Sequence, residues 1–313
     1  MYEFIIKVDF SLNLNLLPMS SERKMMQNYI ILTDSGTDFN DELVKECDVV
    51  KIELSIIVEG EDPKPDNEMD KKELYSLLRA KKKASTSAIN IEDFKTVMRP
   101  YLEEGKDILY LGFSSGLSST YRAGELAAEE LGEEYPDRKI YTVDTLCASL
   151  GQGLLVYHAA KMRLNGATIE EVRDFAQSRK LNLCHWFTVD DLFFLKRGGR
   201  VSAATAVLGT MLGIKPIMHV NNEGKLVKVS TARGRKASID ELCERAKASI
   251  IEAKDKVVAF ISHGDCEDDA KYLAEKIKTE VGFKDVVIGY VGSVIGSHSG
   301  PGTLALFYLG AER

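Results

Sequence analysis

From Tyr29 onward, short runs of β-branched and aromatic residues alternate with longer stretches in which apolar side chains return every three or four positions, the pattern of strand–helix–strand units in a parallel sheet. In the first half, runs at 29–33, 49–54, 108–113 and 140–143 predict strands, and stretches at 69–79, 91–103, 118–131 and 146–164 predict helices. Leu117, Tyr121, Gly124, Ala128 and Leu131 place one apolar face opposite Glu125, Glu129 and Glu130, so that face should pack on the sheet. Between the second strand and the next helix, residues 55–70 combine acids and prolines and read as an exposed excursion, a small β-arm. Asn165-Gly166 closes one helix, and Thr168 with Glu171 forms a capping box that opens the next.

A domain boundary is expected there, giving an α/β domain over 29–166, a smaller α/β (α+β) domain over 167–313, and an N-terminal extension over 1–28. In the second half, strands are expected at 184–188, 214–220, 225–231, 257–262, 286–291 and 304–309, with helices at 236–253 and 267–281. Asn221-Asn222-Glu223-Gly224 should turn a hairpin.

Composition narrows the function without naming it. Of 313 residues, 44% are apolar and 28% charged, ordinary for a globular chain, and the net charge of −7 disfavours nucleic acid as a partner. The five cysteines are scattered with no C-x-x-C pair, and neither they nor the five histidines carry metal-ligand spacing, so no metal is expected. No apolar run is long enough to span a bilayer, and Glu3, Lys7 and Asp9 interrupt the N-terminal apolar stretch. A reducing, cytoplasmic setting is the expectation.

Chemistry concentrates where strands end. The first strand runs into Asp34-Ser35-Gly36-Thr37-Asp38, the third into Ser114-Ser115-Gly116-Leu117-Ser118-Ser119-Thr120, and the fourth into Asp144-Thr145. In a parallel sheet these turns share one edge, where ligands of open α/β sheets bind and helix N-termini favour anions. The plain alternative is that each hydroxyl is only a helix cap. No P-loop is present, and the G-x-G-x-x-A match at Gly300, Gly302 and Ala305 lies too near the last residue to open a strand–helix–strand unit. His298 stands apart because glycines frame it. A rival reading uses Gly112-x-Ser114-x-Gly116 as the nucleophile elbow of a serine esterase or lipase-like hydrolase, with Asp265 and His298 completing a triad, although no oxyanion loop precedes it.

Taken together, Thr33-Asp34-Ser35, the run Phe113 through Tyr121, Asp190-Asp191-Leu192 with Lys196-Arg197-Gly198-Gly199-Arg200-Val201, and His298-Ser299-Gly300-Pro301-Gly302 resemble the DegV family over roughly residues 29–310. The resemblance implies a Rossmann-like parallel-sheet N-terminal domain, a smaller C-terminal α/β domain, and a ligand tunnel between them. It implies a non-enzymatic protein similar to the fatty-acid-binding subunit of bacterial fatty acid kinase. Such a protein buries a long-chain fatty acid such as palmitate and presents its carboxylate to a separate ATP-binding kinase. No other cofactor is implied, and peripheral membrane contact is compatible with that role.

Position by position, the resemblance places the carboxylate at Thr86, with Ser87 nearby, at Ser115 and at His298, with Ser114, Asp34, Ser35 and Gly302 as further candidates. Arg233 matches a position implied in engaging the kinase. One departure stands out: the family pattern Thr-Ser-Gln-Pro is here Thr86-Ser87-Ala88-Ile89. The stretch 203–218, rich in Ala, Gly, Leu and Met, is a candidate tunnel wall, with ordinary helix–sheet packing as the alternative. Lys196, Arg197 and Arg200 either guide an anion or partner, or form a solvated loop.

Overall fold

The computed structural model describes residues 28–202, 213–250 and 257–313. The expected extension, apart from Asn28, lies outside them, as do 203–212 of the candidate tunnel wall and the end of the helix expected over 236–253.

Three sheets organise the chain. The first is fully parallel, in the order β2 (Val50–Ile52), β1 (Tyr29–Asp34), β6 (Asp107–Gly112), β7 (Ile140–Asp144). Every residue of β1 is buried because helices cover both faces. Strand alternation sends Ile30 and Leu32 to one side, where they meet Phe94, Met98 and Leu102 of helix α3 (Ile91–Glu103) and Ala127 and Leu131 of α4 (Thr120–Glu134). Ile31, Leu109 and Leu111 point to the other side, onto α5 (Leu150–Leu164).

Helix α5 is buried almost all round through Ala160, which fits a helix packed on two sides. Its second neighbour is a six-stranded mixed sheet in the order β10 (Leu226–Arg233), β9 (Ile214–Val220), β8 (Leu183–Thr188), β13 (Leu304–Leu309), β11 (Val258–His263), β12 (Asp285–Tyr290). Only the β11–β12 pair is parallel. Phe187, Phe260 and Phe307 from this sheet share one core with Ile31 and Leu154, so the two sheets clasp α5 between them. The sheet's far face carries α8 (Arg235–Ser249) and α9 (Glu267–Lys276), sealed by Leu242, Leu273 and Leu306. The hairpin joining β9 to β10 turns at Asn221–Gly224 as the sequence predicts, with Gly224 at φ 72°.

The expected excursion is more substantial than a loop. Residues 55–87 build a three-stranded antiparallel arm, β4 (Lys64–Pro65), β3 (Ser55–Val58), β5 (Ala84–Ser87), backed by α2 (Lys71–Arg79). Ile56, Val58, Leu74 and Tyr75 form its own small core. The strand expected over 49–54 is shortened because Leu54 leaves the parallel sheet to enter this arm; α1 (Asp41–Cys47) precedes it. The glycine-framed histidine segment is also regular: Ser293–Ser299 forms a two-turn helix, α10, after the short α6 (Ile169–Arg179) and α7 (Phe193–Arg197) have been laid down earlier in the chain.

Candidate functional site

The parallel-sheet edge is where the sequence points, but most of its polar groups hold the fold. Asp34 is fully buried and its carboxylate accepts from Tyr110 Oη and the Phe113 N–H at 2.8 Å each, the Gly36 N–H at 3.0 Å and Gln152 Nε2 at 3.2 Å. Burial pushes the Asp34 carboxyl up and these donors pull it back. Ser35 Oγ accepts from the Leu54 N–H at 3.0 Å, pinning the chain as it enters the arm. Neither residue lines the cavity described below.

Ser114 is likewise structural. Its hydroxyl is fully buried and donates to Gly224 O at 2.8 Å, tying the first sheet's edge to the hairpin of the second. His298 bonds Thr86 and Asp265 pairs with Arg79, so the esterase triad of Ser114, Asp265 and His298 is not assembled. The elbow motif arises because Gly112 and Gly116 sit under close packing: a Cβ on Gly116 would lie 2.6 Å from Glu223 O.

Beside this edge, between the two large sheets and the arm, lies a cavity of about 270 Å³. Leu54, Phe113, Phe187, Val220, Val294, Ile295, Ala305 and Phe307 give it a mainly apolar wall. At one place polar groups converge. Thr86 on β5 brings Oγ1 to 2.8 Å from Nε2 of His298 on α10. Arg200 is on the same wall, its guanidinium anchored to Leu117 O and Gly198 O. Burial, reinforced by Arg200 and Arg197, lowers the His298 imidazole to about 4, so it is neutral at physiological pH. An outer groove shares Leu117, Arg200 and Leu226 with the cavity.

Strand alternation separates the paired candidates: Thr86 lies on the cavity wall, whereas Ser87 is exposed, off the wall, and bonded weakly to Ala88 O. Ser115 is also exposed and off the wall. Ser118 and Ser119 of the same turn line the wall. Ser118 is engaged with Thr120, whereas Ser119, at the N-cap position of the 15-residue α4, makes no side-chain cap bond. Gly302 lies off the wall and is glycine because φ is 76° and a Cβ would meet Asp190 Oδ2 at 2.1 Å. Arg233 is exposed at the end of β10, with no ion pair among the described residues.

A second polar group lines the cavity. Ser149 donates to the buried Asp38 carboxylate, and its oxygen lies 3.0 Å from Ser262 Oγ. Burial, with a smaller push from Asp66, raises Asp38 to about 7 against the hydrogen bond from Ser149. No group of three or more His, Cys, Asp or Glu suited to a metal occurs among the described residues, and no helix there is long and apolar enough to cross a membrane.

Two sheets with helices between and outside them enclose a mainly apolar cavity, and the neutral and cationic hydrogen-bond donors gathered at one point of its wall suit an amphipathic ligand with an anionic end. The profile described as uncharacterised protein, DegV family matches residues 28–311. The chain belongs to the DegV family. It is 43% identical over 290 residues to a DegV domain-containing protein of Clostridium perfringens, covering 92% of this chain and 99% of that one. Among solved structures it resembles a Thermotoga maritima protein described as revealing fatty acid binding function (31% identity, TM-score 0.77, 90% and 99% of the two chains). It also resembles a fatty-acid-binding DegV family protein of Thermus thermophilus (30% identity, TM-score 0.81, 90% and 99%).

Proposed function

We propose that this protein binds one long-chain fatty acid, with the acyl chain in the cavity and the carboxylate at Thr86, His298, Ser119 and Arg200. The observation that carries the reading is the Thr86–His298 pair, a polar cluster opening onto an otherwise apolar cavity. Its two related structures are described by what they bind, fatty acid in both cases.

The energetics agree. Burying a palmitate-like chain at ~0.8 kcal/mol per methylene supplies roughly 12 kcal/mol gross, enough for tight binding after several kcal/mol of association cost. The carboxylate needs donors to offset its desolvation, and hydroxyls, a neutral imidazole and a half-buried guanidinium provide them. The protein acts as a carrier and not as a catalyst: it presents the carboxylate at the mouth for phosphorylation by a separate ATP-binding kinase in the cytoplasm, with exposed Arg233 contacting that partner.

Lipid extraction and native mass spectrometry of the purified protein test the binding reading, with about one fatty acid per chain expected. Protein that stays empty when offered fatty acid refutes it. In a reconstituted assay with an ATP-binding kinase subunit, Arg233→Ala is expected to spare lipid binding and abolish acyl phosphate formation; equal loss of both removes the partner role.

A further inference from the structure

Most polar groups on the cavity wall find partners within the protein. His185 holds Leu183 O at 3.1 Å through Nδ1 and accepts the Ala148 N–H at 3.4 Å through Nε2. Thr303 Oγ1 donates to Gly300 O at 2.8 Å. Ser262 differs. It is fully buried on β11, facing Ala305 of the neighbouring strand, and its one side-chain hydrogen-bond partner among the described residues is Ser149.

A hydroxyl has one hydrogen to give. When Asp38 is ionised it takes the hydrogen of Ser149; Ser149 then takes that of Ser262, and the lone pairs of Ser262 face the cavity unused. When Asp38 is protonated the relay reverses, and Ser262 is left with a hydrogen to donate. In both states the chain of groups ends in one unsatisfied valence on the wall. Ser149 is held at φ 57° and ψ −152°, a conformation that non-glycine residues rarely adopt, so the backbone itself fixes its direction. Ser299 adds another buried hydroxyl on this wall, and this one has no hydrogen-bond partner among the described residues. A wall meant for hydrocarbon alone gains nothing from such a relay, because an unmet buried hydroxyl is a cost.

We infer that Ser262, backed by Ser149 and Asp38, forms a second polar subsite inside the cavity that receives a hydroxyl group borne on the acyl chain, making hydroxylated long-chain fatty acids a preferred ligand class. This rests on the fatty-acid reading above. A hydroxyl is the group that fits, since it can donate to Ser262 or accept from it and so matches the relay in either state.

The test uses the full chain stripped of lipid, with competition binding of stearic acid and a series of hydroxystearic acids that differ in hydroxyl position. At one position the hydroxy acid is expected to bind at least as tightly as stearic acid. Ser262→Ala is expected to weaken that acid about tenfold while leaving stearic acid within twofold, so stearic acid also reports that the variant is folded. Ser149→Ala, which breaks the relay, should shift the hydroxy acid in the same direction. Hydroxy acids uniformly tenfold weaker than stearic acid, as when the subsite holds only water, overturn the inference. So does a Ser262→Ala variant that weakens both ligands alike. Failure of the wild-type protein to bind stearic acid is the distinct result that removes the fatty-acid reading itself.

Discussion

Thr86 and His298, 212 residues apart in sequence, meet at 2.8 Å between Oγ1 and Nε2, one from a strand of the small arm and the other from the helix that connects β12 to β13 of the mixed sheet. The neutral imidazole and the hydroxyl share one hydrogen between them, which leaves the other free to meet an incoming oxygen. Thr86→Val keeps the shape and removes the hydroxyl. It should weaken fatty acid binding by about 1–2 kcal/mol without lowering the unfolding temperature, as read by isothermal titration and thermal denaturation. Unchanged affinity would take Thr86 out of the carboxylate site.

The position of His298 depends on Gly198, where a Cβ would lie 2.2 Å from the imidazole Nδ1. The backbone there has φ −71°, so alanine introduces no backbone strain and the substitution isolates the steric effect. Gly198→Ala should displace the ring and lower fatty acid affinity at least tenfold, while Gly199→Ala, next in sequence and at φ 74° with open space around it, should alter stability more than binding. Equal affinities for the two variants would contradict the placement.

Within the hydroxyl-rich turn, Ser119→Ala should weaken binding by on the order of 1 kcal/mol, whereas Ser115→Ala should leave it unchanged, because Ser119 lines the cavity and Ser115 does not. Direct binding measurements on both variants decide between them; the reverse order would restore Ser115.

The acid at the base of the serine relay gives a pH signature. Asp38 lies at about 7 in the folded protein against 3.8 ordinarily, so between those values the native state holds more protons than the unfolded chain, and this group's contribution to stability falls as pH rises. His298, at about 4 against 6.5, works in the opposite sense: its contribution is lost as pH falls through that window. Asp38→Asn should therefore gain stability relative to wild type on going from pH 5 to pH 7, by on the order of 2 kcal/mol in denaturant titrations. A difference that stays constant with pH would show that Asp38 does not titrate in that range. For His298, the imidazole resonances of the lipid-free protein should show no protonation above about pH 5.

Much of the scaffold was legible because its elements carry their own periodicity. The buried parallel strands, the apolar face of α4, the Thr168–Glu171 capping box and the Asn221–Gly224 hairpin all follow from local sequence. The site was legible only in part, and for a physical reason. Ala84-Ser85-Thr86-Ser87 has no apolar alternation, and pairs as a strand only because β3 lies beside it. Ser293–Ser299 is rich in serine and glycine and is held as a helix from outside: Asp66 Oδ1, 227 residues before Ser293, accepts its N–H at 3.0 Å. The family resemblance placed Thr86 and His298 near a ligand; which hydroxyls of each turn face inward is set by strand phase and helix onset, which that resemblance did not resolve.

The arm that carries Thr86 is attached to the mixed sheet's side by a few specific ties: the Asp66 cap on α10, Tyr75 Oη donating to Val291 O at 2.9 Å, and the Arg79–Asp265 ion pair. Phe194 and Tyr290 also pack against the arm's own core. The Thr86–His298 pair therefore sits on a seam between two separately packed cores, so its geometry depends on these ties as much as on the residues that line the cavity.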